Sequence, residues 1–220
     1  MRIGFRHIAV YIGLLAAAAL FTMQVATAAS IVGSKHDFSS GGTSTYKGTA
    51  TADGGQVCVY CHTPHNASTS QPLWNHTASG IASYTLYTNS TLNATAAQPG
   101  AVSKLCLSCH DGTVAIDSFG TFAGTATNKI ATSSVNNLGG TAGTDLSNDH
   151  PIGFTYNAAL ATADGGLVSP PSTTQVVAGI PLFSGTLECA SCHSVHDSTN
   201  TPFLRVANTG SALCLKCHTK

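Results

Sequence analysis

Charge is scarce in this chain. Only 8% of the 220 residues are Asp, Glu, Lys or Arg, and the 9 basic and 9 acidic side chains cancel. Nucleic-acid binding rests on a concentrated basic surface, so that class of partner is excluded. Aromatic residues make up only 7%, with one Trp, and Leu, Ile and Phe alone would give a thin core. Methionine is almost missing: Met1 and Met23 are the only two. Beyond residue 28 no apolar run is long enough to cross a bilayer. Cys and His are the residues in excess, 8 and 10 of them.

The start of the chain reads as an export signal. Arg2 and Arg6 form a positive region, Ile8 to Val25 is almost wholly apolar, and Ala26-Thr27-Ala28 has the small-x-small form of a cleavage site. A retained transmembrane anchor is the competing reading, and the polar sequel favours cleavage. Residues 1–28 are therefore taken as signal peptide and residues 29–220 as one exported domain without a membrane span. The expected location is extracellular, with the periplasm as the alternative. Cleavage removes both methionines and two arginines, leaving a slight acidic excess.

An exported chain with eight cysteines invites disulfides, but the spacing argues otherwise. The cysteines fall as Cys58-Val59-Tyr60-Cys61-His62, Cys106-Leu107-Ser108-Cys109-His110, Cys189-Ala190-Ser191-Cys192-His193 and Cys214-Leu215-Lys216-Cys217-His218. All four are C-x-x-C-H, the attachment signature of c-type haem. Both thiols bond the haem vinyl groups, and the adjacent His reaches the iron. Zinc knuckles need no His after every second Cys, and a thioredoxin-like site needs one C-x-x-C, not four. The sequence predicts four covalently attached haem c groups, with iron.

The opposite face of each iron needs a second ligand. Met is gone with the signal, and no cysteine is spare. His62, His110, His193 and His218 are the proximal ligands, so His36, His65, His76, His150 and His196 remain for four places. Bis-histidine irons have no open position, which suits electron transfer rather than catalysis. His65 and His196 each follow a proximal His by three residues. If both lie on one helical turn they share a face, so each must serve a different haem from its neighbour's. The motifs also repeat. C-x-x-C-H-x-x-H occurs at Cys58–His65 and Cys189–His196, followed by Pro72-Leu73-Trp74 and Pro202-Phe203-Leu204, and Leu105–His110 resembles Leu213–His218. The chain thus divides into duplicated two-haem modules, about 29–120 and 149–220, joined by a Gly/Thr/Ser-rich loop over 121–148. A short helix is expected from Ser103 to His110, and short strands at Tyr84–Tyr87 and Gln175–Ala178.

Further segments complete a pattern: Ser34-Lys35-His36-Asp37-Phe38-Ser39 near the mature start, Val57 to His65, Pro72 to Asn75, Leu105 to Gly112, Asp149-His150-Pro151-Ile152-Gly153-Phe154, and the terminal Leu213 to His218. This order resembles the doubled C-x-x-C-H multihaem cytochromes, in particular the OmcE-type tetrahaem extracellular cytochromes, which polymerise into filaments with a continuous haem chain. The resemblance implies a multihaem cytochrome c fold, mostly coil with short helices and little sheet, around four haems. It implies His36, His65, His150 and His196 as the distal ligands, with His76 as the spare or a substitute for one of them. It also implies an electron-transfer protein that is not an enzyme, with redox partner cytochromes and other copies of itself as partners. A soluble periplasmic carrier and a multihaem oxyanion reductase are the alternatives. His36 near one end of the mature chain and His218 near the other would permit head-to-tail contact, which gives an open fibre when it does not close. His36 could then serve a haem of the next copy or one of its own chain.

Overall fold

The computed structural model describes residues 30–48, 53–67 and 73–219. The segment read as a signal peptide lies outside the described residues, and among these no helix is long and apolar enough to cross a membrane. Among the described residues are three α-helices, α1 (Ala101–His110), α2 (Ala158–Asp164) and α3 (Cys189–Cys192), and 3-10 turns at Cys58–Tyr60, Thr209–Ser211 and Cys214–Lys216. The strands are short and pair in twos. β1 (Thr85–Leu86) runs parallel to β2 (Asp145–Leu146). β3 (Phe154–Thr155) is antiparallel to β6 (Thr186–Leu187), and β4 (Gln175–Val177) to β5 (Ile180–Pro181). The chain is mostly coil with few short helices and small sheets, consistent with a multihaem cytochrome.

Local chemistry explains the elements. The helix expected from Ser103 begins two residues earlier, after the extended Gly100. The strand expected over Tyr84–Tyr87 shrinks to its two central residues. That over Gln175–Ala178 ends at Val177 and turns back at Gly179, whose φ of 89° suits glycine. The 121–148 segment is largely turns, yet it ends in β2 and is thereby tied to β1. α2 was not expected. The Asn157 side chain accepts from the Leu160 N–H at 2.9 Å, and Gly165, at φ 67°, ends the helix in the left-handed conformation.

Among the described residues, buried apolar side chains gather in two small clusters. One gathers Phe154, Tyr156, Leu160, Val176, Ile180 and Leu187 from β3 to β6. The other joins Tyr84 and Leu146 to Leu107 of α1. Buried carboxylates organise much of the rest. Asp53 accepts from the Tyr60 hydroxyl at 2.6 Å and the N–H groups of Gly55 at 2.6 Å and Ser40 at 3.2 Å. Asp111 accepts from the hydroxyls of Tyr84, Thr113 and Ser79, and Asp117 from the N–H and hydroxyl of Thr125. Glu188 accepts from the Ser103 hydroxyl and the Gly100 N–H, so it clamps the start of α1 to the start of α3. A coil with little ladder pairing must satisfy its backbone donors in this way.

Candidate haem-binding site

Each C-x-x-C-H sits on a single helical turn. The N–H of His62 donates to the Cys58 carbonyl at 2.8 Å, that of His193 to Cys189 at 3.1 Å, and that of His218 to Cys214 at 2.9 Å. The second motif ends α1, so it has the same winding. Cys i and Cys i+3 then project to one side, with the His one step on. All eight thiols are free. Burial pushes the Cys61 and Cys217 thiols up to about 11, with help from neighbouring cysteines, and raises Cys109 further. A hydrogen bond from the Cys106 thiol to the Cys189 sulfur, together with burial, raises the Cys106 pKa.

The chain leaves the helix as each such turn ends. His193 is extended, at φ −111° and ψ 147°, and forms an isolated bridge with Leu204, while His62 bridges Trp74. This corrects the premise that His62 and His65, or His193 and His196, share one helical face. The same hydrogen bonds recur in both halves. Thr63 N–H donates to the Leu73 carbonyl at 2.8 Å and Asn75 N–H to Cys61 at 2.9 Å; Ser194 donates to Phe203 at 2.8 Å and Arg205 to Cys192 at 2.9 Å. The Asn75 amide reaches the Val59 carbonyl at 2.5 Å, as the Arg205 guanidinium reaches that of Ala190 at 2.7 Å. Leu73 and Phe203 both have positive φ, 57° and 60°.

The expected ligands come together in pairs. Ring centroids lie 6.0 Å apart for His36 and His110, 6.0 Å for His62 and His196, and 6.4 Å for His150 and His218. Two imidazoles approaching one metal from opposite sides, with bonds of about 2 Å and ring radii of about 1.2 Å, would have their centroids roughly 6.4 Å apart. Each pair joins one motif histidine to one distal candidate. His65 and His193 are exposed, and neither has such a ring partner among the described residues. Nδ1 of His110, His150 and His193 lies 2.8, 2.9 and 3.0 Å from the carbonyls of Asn136, Pro151 and Pro202. That contact uses the Nδ1 hydrogen and leaves Nε2 for a metal. Burial, with His110 and His193 nearby, lowers the His36 pKa to about 4, and burial lowers that of His110. Both rings are thus neutral, the form that ligates. A small apolar cleft of about 70 Å³ opens between Leu86, Leu107, Leu146, Ile152, His150 and Cys189. The donor set fits covalently held haem.

His76 is different. It is 3% exposed, with Nδ1 2.8 Å from the Thr77 carbonyl and Nε2 3.2 Å from that of Ala115. Both nitrogens are engaged within the protein. Trp74 is expected from the sequence to pack against a porphyrin rather than relay electrons, while residue types alone do not single out Phe203 beside His36. Phe203 stacks on His36 at 4.6 Å and 16°, and Trp74 stands edge-on to His62 at 6.2 Å and 89°.

Comparison with known proteins agrees in part of the chain. Residues 181–220 match the family described as the doubled CXXCH motif. No curated protein matches the sequence. The match spans the third and fourth motifs, where the helical turns place paired thiols beside His193 and His218. It supports a multihaem c-type cytochrome, with covalently bound haem c and a role in electron transfer.

Proposed function

We propose that the chain carries four bis-histidine haem c groups and passes electrons along them as one subunit of an extracellular filament. Cys58/Cys61, Cys106/Cys109, Cys189/Cys192 and Cys214/Cys217 hold the groups through thioethers. His62, His110, His193 and His218 are the proximal ligands. The observation that carries the reading is the set of three histidine pairs at 6.0–6.4 Å. It supports His196 for the His62 iron, His36 for the His110 iron and His150 for the His218 iron. His65 follows the first motif as His196 follows the third, and the shared geometry of the two segments supports a reciprocal role for it on the His193 iron. His36 facing His110 supports ligation within its own chain rather than across copies.

When bound, the haem irons supply one-electron chemistry. The protein's part would be to offer a pair of imidazoles to each iron, those of His110, His150 and His193 held by carbonyl contacts at Nδ1, and to keep reactants away from the metal. The filament reading draws on a surface poor in charge and on exposed apolar side chains, Val32 and Leu215 among them, near either end of the described chain. Electron transport out of the cell, to external acceptors, is the role such an assembly would serve.

Four haem masses per chain, fully low-spin ferric spectra and no response to cyanide or nitrite are the expected results. A cyanide-binding iron would favour a reductase instead. Negative-stain microscopy of the secreted fraction tests the filament, and a monodisperse monomer there would leave a soluble carrier.

A further inference from the structure

His76 is the histidine that the ligand scheme leaves over, and its surroundings give it a different task. Its Nε2 lies 3.4 Å from the Cys109 sulfur as well as 3.2 Å from the Ala115 carbonyl, while Nδ1 faces the Thr77 carbonyl at 2.8 Å. A neutral imidazole carries hydrogen on only one nitrogen, and the short Thr77 contact claims it for Nδ1. Bare Nε2 is satisfied only while the Cys109 thiol donates to it. Haem attachment removes that donor: the sulfur–carbon bond forms and the thiol hydrogen passes to the vinyl carbon. Nε2 then faces a sulfur and a carbonyl oxygen, both acceptors, inside a nearly closed pocket. Only a hydrogen on Nε2 makes that arrangement favourable.

We infer that in the haem-loaded chain His76 donates from Nε2 to the Cys109 sulfur and the Ala115 carbonyl, as a positioning residue that sets this haem apart from its counterpart in the second half. The inference rests on thioether attachment at Cys109. Burial, the largest influence, lowers the His76 pKa in the haem-free chain, while the Thr77 and Ala115 carbonyls and buried Asp117 act to raise it, and loss of the thiol donor adds to that second group. The duplication supplies an internal control. Asn75 and Arg205 occupy equivalent positions by their hydrogen bonds, so His76 corresponds to Val206. Val206 packs with Cys217 against the larger apolar cluster and has no hydrogen to donate. An N–H on a thioether sulfur draws electron density from the macrocycle and raises that haem's reduction potential.

The test uses the full haem-loaded protein, wild type, His76→Val and His76→Gln, each checked by mass for haem on the Cys106–His110 peptide. Absence of haem there in wild type fails the attachment reading, and this one with it. With haem present, His76→Val should stay low-spin and move one midpoint to more negative potential while the others hold. His76→Gln, which keeps an N–H donor, should restore part of the shift. In the ferrous wild type, nitrogen-15 spectra should show hydrogen on both His76 nitrogens, a measurement that needs no variant. Unmoved midpoints in His76→Val, new high-spin iron there, or a bare Nε2 in the wild type would each overturn the inference.

Discussion

His62 and His196 face each other with ring centroids 6.0 Å apart, although more than half the chain lies between them. One belongs to the first C-x-x-C-H and the other follows the third. A shared iron would join the two halves by coordinate bonds in addition to side-chain packing. With apolar clusters this small, such cross-links would carry much of the tertiary stability.

Replacing His196 with Ala tests the pairing. One iron in four should become high-spin and bind cyanide, and it should be the one attached at Cys58 and Cys61. The assignment is checked in a Cys58→Ala, Cys61→Ala background, where the high-spin signal should vanish with its haem. If the signal persists there, His196 serves another iron.

The haem-free chain should be largely unfolded. Strands of two or three residues cannot hold themselves together, and α2 and α3 are far below the length at which helices persist alone. Circular dichroism of protein made without haem attachment should show a coil spectrum. A native-like spectrum would show that the two apolar clusters suffice.

The four C-x-x-C-H motifs stand out in the sequence because haem attachment demands a rigid local spacing. The winding of Cys58–His62 and of Cys214–His218 follows from that spacing with little help from elsewhere. Which histidine rings approach one another was not legible, because His36 and His110, or His150 and His218, meet only through the tertiary path of the coil. The one-face argument for His62 and His65 misjudged the backbone, which leaves the helix at the ligand itself. α2 went unseen because Ala158–Asp164 buries only Leu160 and Ala161, too little to show a helical period, although Asn157 and Gly165 mark its ends. The buried carboxylates were invisible in a sequence where each looks like an isolated surface charge.

Ser103 links α1 to the third motif. Its hydroxyl donates to Glu188 and accepts from the Cys189 N–H at 3.0 Å, and it is fully buried. Ser103→Ala leaves that N–H unpaired and takes one donor from Glu188. A loss of about 1–3 kcal/mol is expected for such an unmet buried group. Denaturant titration of the haem-loaded protein should show a lower midpoint with unchanged slope. An unaltered midpoint would mean that the junction is held by haem contacts instead.

Asp53 gives a prediction that depends on pH. Burial works to raise its pKa, but the bonds from the Tyr60 hydroxyl and the Gly55 and Ser40 N–H groups outweigh it and hold the carboxyl below its ordinary 3.8. A folded-state pKa below the unfolded one contributes stability that is complete above the unfolded value. That contribution is lost as pH falls from there through the lower, folded value. Asp53→Asn keeps one acceptor oxygen but no charge, so at neutral pH it should cost about 1–3 kcal/mol and lower Tm. The Tm gap to wild type should stay constant down to about pH 5 and narrow below 3.8 as the wild-type carboxyl takes up its proton. Thermal scans of both proteins across that range check it, and a gap that widens on acidification would contradict the assigned role of these hydrogen bonds.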